Sequence, residues 1–430
     1  MSTTTKPSAP ELSPELSAAA PIAWKAPILY AVSAVIVLVF FGVMGSTTPA
    51  RFRWTDATAA ITLEPTMLTP RTVGFVCGAL LAVIAAAALW RAVERKSFSP
   101  WFGVLAGVLF LLSLLAWTGA GGTVQVVYLL NGTIALSTAV IFGALAGVIG
   151  ERVGVVNIAI EGQLLAGAFV AAVLGSITGN LWVGLFGAMI GGALVSLVLA
   201  VFSIKYIVNQ IIVGVVLNVL VIGLTNFFYS SVLNTNASAF NNPGFFRKIT
   251  IPWLSEIPVL GPVLFDQNII TYTMFVLVFL VWLVLFKSRL GLRIRAMGEH
   301  PLAADTVGLN VNRTRFWTVS IAGLIAGLGG AALTIGSVGA FGREMSAGQG
   351  FIALAMVILG RWHPLYAAMA ALLYGFSGAF RIWAGGVPVG SEIPSDLIQM
   401  VPYVVTLVAV VLFVGRAIPP AAVGKPYIKE

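Results

Sequence analysis

A chain of 430 residues that is 59% hydrophobic and only 9% charged cannot cover itself with a water-facing surface, since about a quarter of a soluble domain is charged. A net charge of +9 would suggest nucleic acid in a soluble protein, but here the basic residues stand mostly between apolar runs, where they orient membrane helices, and no nucleic-acid partner is expected. The single cysteine, Cys77, excludes an intrachain disulfide, and two histidines without nearby Cys or carboxylate clusters give no metal-site spacing.

Residues 1–25 are rich in Ser, Thr, Pro and Ala, show no apolar period and read as a disordered tail. The first apolar run starts too late and is too long for the core of a secretory leader, so none is expected. Twelve apolar segments follow, near 26–46, 72–90, 101–118, 126–149, 155–175, 181–203, 207–229, 269–286, 317–336, 351–360, 364–383 and 399–415. The reading is an all-α polytopic membrane protein with about 10–12 spans of roughly 20 residues. Segment 155–175 carries Asn157 and Glu161, and 351–360 is short, so either could be re-entrant or broken. From a cytoplasmic start, the basic residues at 91–96, 152, 205, 287–295, 313–315, 361, 416, 425 and 429 share one side. The other side keeps few, among them Arg51, Arg53, Arg71, Arg247, Lys248 and Arg343, which places both termini in the cytoplasm.

Many glycines lie inside apolar runs as small-xxx-small pairs, among them Gly143 with Gly147, Gly187 with Gly191 and Gly323 with Gly327. Such spacing lets helix backbones approach closely. Asn157 and Glu161, at i and i+4, would share a helix face. A carboxyl group inside the membrane costs at least about 2.5 kcal/mol, so Glu161 should face the bundle interior or water. It is either a structural hydrogen-bonding group or part of a substrate path. The next segment adds Asn209, Gln210, Asn218, Thr225 and Asn226, which read equally as interhelical hydrogen bonding or as lining for a neutral, hydroxyl-rich substrate.

The stretch 230–268 is a long external connection rich in Asn and Pro, and loops of that length without their own structure are often functional. Its Arg247 and Lys248 either dock acidic residues of a substrate-binding protein or are simply solvated. The longest internal connection, 287–316, contains RAMGEHPLAADTVGLN at 295–310. Pro301 suits the first position of a helix and Gly308 the left-handed residue just past its end, which predicts about two turns between them. Leu302, Ala303, Thr306 and Val307 give this piece an apolar side while Asp305 looks elsewhere; it is either a docking helix or a solvated loop. No G-x-x-x-x-G-K-[ST] run occurs, so the chain holds no ATP in a phosphate-binding loop. GFSG at 375–378 matches a motif of intramembrane serine proteases. Those enzymes place their base on a later helix, however, and both histidines, His300 and His363, precede Ser377. An ion-coupled secondary carrier is the other rival, but only Glu161 is a clear intramembrane acid.

The run GLRIRAMGEHPLAADTVGLNVNR resembles the cytoplasmic coupling segment of ABC-transporter permeases of the branched-chain amino acid, ribose and nucleoside group. ERVGVVNIAIEGQLLAGAF at 151–169 is similar to a signature of those members that handle nucleosides and simple sugars. The resemblance covers roughly 126–416. It implies a permease core with a coupling loop at 287–316, preceded by an extension at 26–125 and followed by a cytoplasmic tail at 417–430. It further implies that Arg295, Gly298, Glu299, Pro301, Ala303, Ala304, Asp305, Gly308 and Asn310 belong to the ATPase-coupling element. Asn157, Glu161, Asn209, Gln210, Asn218 and Thr225 are expected, from their own polarity, to border the substrate path. The implied partners are a cytoplasmic ATP-binding subunit, a second and different permease chain, an extracytoplasmic binding protein docking near Arg247 and Lys248, and the lipid membrane. The expected protein is thus a non-enzymatic subunit of a bacterial inner-membrane importer for nucleosides or related sugars. It binds no cofactor or metal itself; ATP and Mg are used by the partner.

Overall fold

The computed structural model describes residues 24–56, 59, 61–96, 99, 101–387, 399, 400, 403 and 417–429. The tail up to residue 23, Arg416 and nearly all of the apolar segment 399–415 lie outside the described residues. Among those described, ten helices are long and apolar enough to cross a membrane, and the chain is a polytopic helical membrane protein.

The contacts divide the chain into two units, one comprising residues up to Arg51 with Met67–Gly122, the other Phe52–Thr66 with Thr123 onward. The first unit is built on α1 (Lys25–Ile36, continued by wide helical turns to Val43), α2 (Pro70–Val93) and α3 (Trp101–Thr118). Pro70 opens α2 at a position where its missing N–H costs nothing. Ala34, Val37, Phe41, Cys77, Leu81, Ile84, Ala106 and Leu109 form its core, and the Phe41 ring lies 5.5 Å from that of Trp117.

The second unit begins with α4 (Val126–Arg152), α5 (Ile160–Thr178), α6 (Leu181–Ala200) and α7 (Gln210–Phe228). The short α8 (Ala237–Phe240) and α9 (Leu260–Leu264) follow, then α10 (Ile269–Lys287), α11 (Arg289–Glu299) and α12 (Pro301–Thr306). The chain continues through α13 (Val311–Leu333, with turns to Val338), α14 (Gln349–Leu359) and α15 (Pro364–Ala384). The doubtful segment 155–175 is therefore a full-length helix that starts later than its apolar run, whereas 351–360 is the 11-residue α14, about 16 Å long and too short to cross alone.

Side-chain caps mark where several helices start. Asn180, Asn209, Asn268, Ser288 and Asn310 each accept a backbone N–H from the first turn of α6, α7, α10, α11 and α13, respectively. The connection 230–268 has more structure than expected. Besides α8 and α9 it holds an antiparallel ribbon in which Lys248–Thr250 pairs with Asp266–Asn268. GFSG is helix interior: Ser377 Oγ donates to the Leu373 carbonyl at 2.8 Å, and Gly375 packs on Thr133 and Ser137.

Glycine sets the packing of α5, α6 and α13. A Cβ on Gly327 would lie 2.1 Å from the Ala188 carbonyl oxygen, one on Gly192 2.4 Å from that of Gly323, and one on Gly330 2.1 Å from that of Leu164. Gly143 and Gly147 similarly admit Ala353 and Val357 of α14 against α4. Backbone cannot retreat as a side chain can, so Gly327→Ala should cost about 1–3 kcal/mol through overpacking. Gly223, in α7, has nothing within 4 Å of its missing Cβ, and Gly223→Ala should be neutral or up to about 1 kcal/mol stabilising. Thermal unfolding of the two variants in one detergent checks this; equal midpoints would show that close backbone contact does not hold these helices.

Candidate functional site

The signature run 151–169 straddles a break between α4 and α5, and a break inside a membrane leaves backbone groups that need partners. Gln210 of α7 accepts the Val156 N–H at 2.8 Å. Asn218 takes the Gly162 N–H at 2.8 Å through Oδ1 and gives Nδ2 to the Ile158 carbonyl at 2.9 Å. Asn157 lies in this turn, before α5 begins, so it does not share a helix face with Glu161. It is fully buried and pairs both ways with the Gln163 amide, at 3.1 and 2.9 Å. Asn157, Glu161, Gln210 and Asn218 thus converge on one break. Asn209 stands apart as the exposed cap of α7, and Thr225 bonds back to the Val221 carbonyl at 2.8 Å within its own helix.

Glu161 reaches away from its own helix to the start of α14. Its Oε1 accepts Ser346 Oγ at 2.6 Å and the Gly348 N–H at 2.8 Å, while Oε2 accepts the Gly350 N–H at 2.6 Å. The first N–H groups of a helix lack partners inside it and carry partial positive charge, so a carboxylate is the natural cap. Gly350 is needed for the approach: a Cβ there would sit 2.3 Å from the Glu161 nitrogen.

The other end of α14 is held by the first two residues of the same signature. Trp362 Nε1 donates to the Glu151 carboxylate, and Arg152 donates through Nε to the Trp362 carbonyl at 2.8 Å. Arg361 and Trp362 adopt left-handed backbone conformations, φ 52° and 54°, where the chain turns back toward α15. The His363 ring meets those of Phe286, at 4.7 Å, and Tyr366, at 4.5 Å, in tilted contacts. Burial, and after it the positive charge of Arg152, hold its imidazole below the usual histidine range.

The coupling segment meets this arrangement directly. Pro301 opens α12, Ala304 is buried beneath it, and Gly308 ends it at φ +84°. Leu302 and Val307 are 60% and 74% exposed, leaving the apolar side of α12 uncovered. Ala303, Thr306 and Gly308 are exposed beside them. Asn310 is the cap of α13. Arg295 lies over the Phe286 ring at 5.1 Å, and Arg152 approaches the same ring at 5.3 Å. Gly298 rests on the end of α4, where a Cβ would come within 2.2 Å of the Arg152 carbonyl.

Residues not singled out in the sequence tie these parts together. Arg315, 2% exposed, donates to the carbonyls of Val153 at 3.1 Å, Lys425 at 3.0 Å and Met297 at 3.4 Å. Gly154, at φ +94°, makes room for that guanidinium. The segment 417–429 lies across the coupling region: Ala422 N–H donates to the Gly298 carbonyl at 2.8 Å, Gly424 N–H to the Gly154 carbonyl at 3.2 Å, and Ala421 N–H to Glu299 at 3.1 Å. Lys429 approaches Asp305 at 3.7 Å. Glu299 and Asp305, expected in the ATPase-coupling element, are therefore shared with this strap. At the far end of the unit, Lys248 pairs with Asp266 at 3.2 Å, whereas the exposed Arg247 has no ion pair among the described residues. Only the positive-φ glycines were a sequence signal for any of this, because carbonyl partners leave no trace in residue type.

The family described as branched-chain amino acid transport system, permease component, matches residues 128–410. The guanosine ABC transporter permease protein NupQ of Bacillus subtilis is 40% identical over 304 residues, 69% of this chain and 95% of NupQ. The nucleoside ABC transporter permease protein NupC of Lactococcus lactis is 38% identical, covering 68% of this chain and 94% of NupC. A second Bacillus subtilis protein, the guanosine ABC transporter permease protein NupP, is 25% identical over 79% of this chain and 92% of its own length. No solved structure matches significantly. The chain belongs to the family of branched-chain amino acid transport system permease components.

Proposed function

We propose that this chain is the membrane-spanning permease subunit of an ABC importer for nucleosides. The observation that carries the reading is the continuous link from the uncovered apolar side of α12, through Gly298, Arg152 and Arg315, to the half-helix α14 inside the bundle. A push on a surface helix so connected displaces membrane-embedded helices rather than a loop. The nucleoside class is supported by NupQ and NupC, whose lengths the chain covers almost completely.

In this reading Arg295, Gly298, Glu299, Pro301, Ala303, Ala304, Asp305, Gly308 and Asn310 form or support the surface that enters a cleft of a cytoplasmic ATPase, which binds ATP and Mg. The end of the bundle bearing α11 and α12 faces the bacterial cytoplasm, as its basic residues favour, and both termini lie there. The second permease is a different chain; two matching permeases, NupP and NupQ, in one organism support a mixed pair. Asn157, Glu161, Asn209, Gln210, Asn218 and Thr225 belong to the translocation core, where Asn157, Glu161, Gln210 and Asn218 hold the break beside the path. Arg247 and Lys248 meet an external substrate-binding protein.

Three tests follow from this reading. Gly308→Val forces a β-branched residue into φ +84°, which costs about 1–2 kcal/mol and misplaces α12. ATP-dependent uptake should fall at least tenfold while membrane abundance holds, and unchanged uptake and ATPase assembly would refute the coupling assignment. Glu161→Gln keeps the shape but turns one acceptor toward a backbone N–H as a donor, whereas Glu161→Ala strips three hydrogen bonds from the start of α14 and the turn before it. Hydrogen bonds to a charged group contribute about 1.5–3 kcal/mol each, so both variants should lose uptake and thermal stability, alanine more. Normal uptake by Glu161→Ala and Asn157→Ala in stably inserted protein would remove these residues from the core. Reversing the charges of Arg247 and Lys248 should weaken delivery from the binding protein more at low salt than at high, because screening already suppresses the attraction there. An unchanged salt and concentration dependence would leave the pair merely solvated.

A further inference from the structure

A groove of about 320 Å³ opens on the side of the second unit where α10, α11 and α13 meet over Ile149 of α4. Val281, Leu285, Ile294 and Ile325 line its floor, and Leu280, Leu290, Trp317 and Ile321 stand at its edges, each about half exposed. Such side chains belong against hydrocarbon, not water, and the groove they flank is continuous with that surface. It also ends where the apolar spans end. Lys287 closes α10, and Arg313 and Thr314 line the groove in the first turn of α13. Leu290, Arg293 and Ile294 share one face of α11 by their i, i+3, i+4 spacing.

The charge around this mouth is of one sign. Arg289, Arg293 and Arg313 are all exposed, and none makes an ion pair or side-chain hydrogen bond among the described residues. Among the described residues, Lys287 is engaged with the face of Trp282, at 5.8 Å. The nearest acids along the chain, Glu299 and Asp305, are shared with Ala421 and Lys429. An apolar slot at the membrane boundary under unpaired guanidinium groups matches a molecule that is an alkyl chain at one end and an anion at the other. We infer that this groove binds one anionic phospholipid, an acyl chain lying between α10 and α13 and the phosphate held by Arg313 with Arg293. Bound there, the lipid ties α11, the arm that leads into α12, to the two spans beside it. Binding follows from the groove alone; its effect on uptake rests on the coupling role proposed above.

The test uses the assembled transporter, purified in mild detergent and returned to nanodiscs of phosphatidylcholine with or without phosphatidylglycerol. Native mass spectrometry should find phosphatidylglycerol retained in preference to phosphatidylcholine. Each basic residue near a membrane surface contributes about 1 kcal/mol to holding anionic lipid, close to fivefold in affinity, so Arg313→Gln and Arg293→Gln should each lower retention by about that factor. Both are surface changes that leave the core alone. Ile321→Trp, which fills the slot, should lower retention without touching the charges. In sealed proteoliposomes of the same two compositions, ATP-dependent uptake should rise with phosphatidylglycerol content in the wild-type protein and not in Arg313→Gln. Equal retention of the two lipids, or retention of phosphatidylglycerol untouched by all three variants, would overturn the site. So would a thermal shift from inorganic phosphate as large as that from phosphatidylglycerol, since the groove would then contribute nothing. Selective retention without any effect on uptake would keep the site and count against α11 as a coupling arm.

Discussion

The second unit is organised around the capping of a half-helix by a buried carboxylate. At the start of α14 the Gly348 and Gly350 N–H groups have no partner within the helix, and Glu161 supplies one oxygen to each. An uncapped helix end at this depth would leave several donors bare, at a few kcal/mol each. A bare carboxylate would be worse. Each makes the other tolerable, and the exchange joins α5 to α14 at a fixed height. Glu151 and Arg152 then hold the turn at the far end of α14. One signature of the chain therefore brackets one short helix from both ends.

Around that bracket, close packing leaves little freedom for relative sliding. Gly167 and Gly330 bring α5 and α13 together, and Gly192 and Gly327 bring α6 and α13 together, at distances that admit no side chain. Such contacts behave as a rigid body, because backbone cannot yield by changing rotamer. The break at 153–159 and the turn at Arg361–Trp362 interrupt this body and are held by side-chain hydrogen bonds instead. Movement in the unit is expected at these joints, since polar contacts can be exchanged where interlocked backbone cannot.

Arg315 extends the rigid region to the surface. A guanidinium has five donors in a fixed fork and can serve several carbonyls at once. Here it joins the end of α4, the end of α11 and the strap at 425. The strap in turn holds Gly298 and Glu299, so α12 sits on a base assembled from four separate parts of the chain. Its outer, apolar side, with Leu302 and Val307, stays exposed.

Composition and local pattern alone determined the membrane class, most of the spans and the short helix at 301–306, because hydrocarbon thickness and the φ preferences of Pro and Gly act on neighbours in sequence. The two resemblance motifs were legible for the same reason. What each polar residue does was decided by the tertiary structure. Asn209 and Asn310, read as path and coupling residues, are seen capping α7 and α13. Asn157 and Glu161, spaced like neighbours on one helix, point to different partners because the helix starts between them. Arg315 looked like one more interfacial charge, and its three partners are carbonyls, which every residue carries. A hydrogen bond to backbone depends on where the chain goes, not on which residue is there, so those links exist only once the fold does.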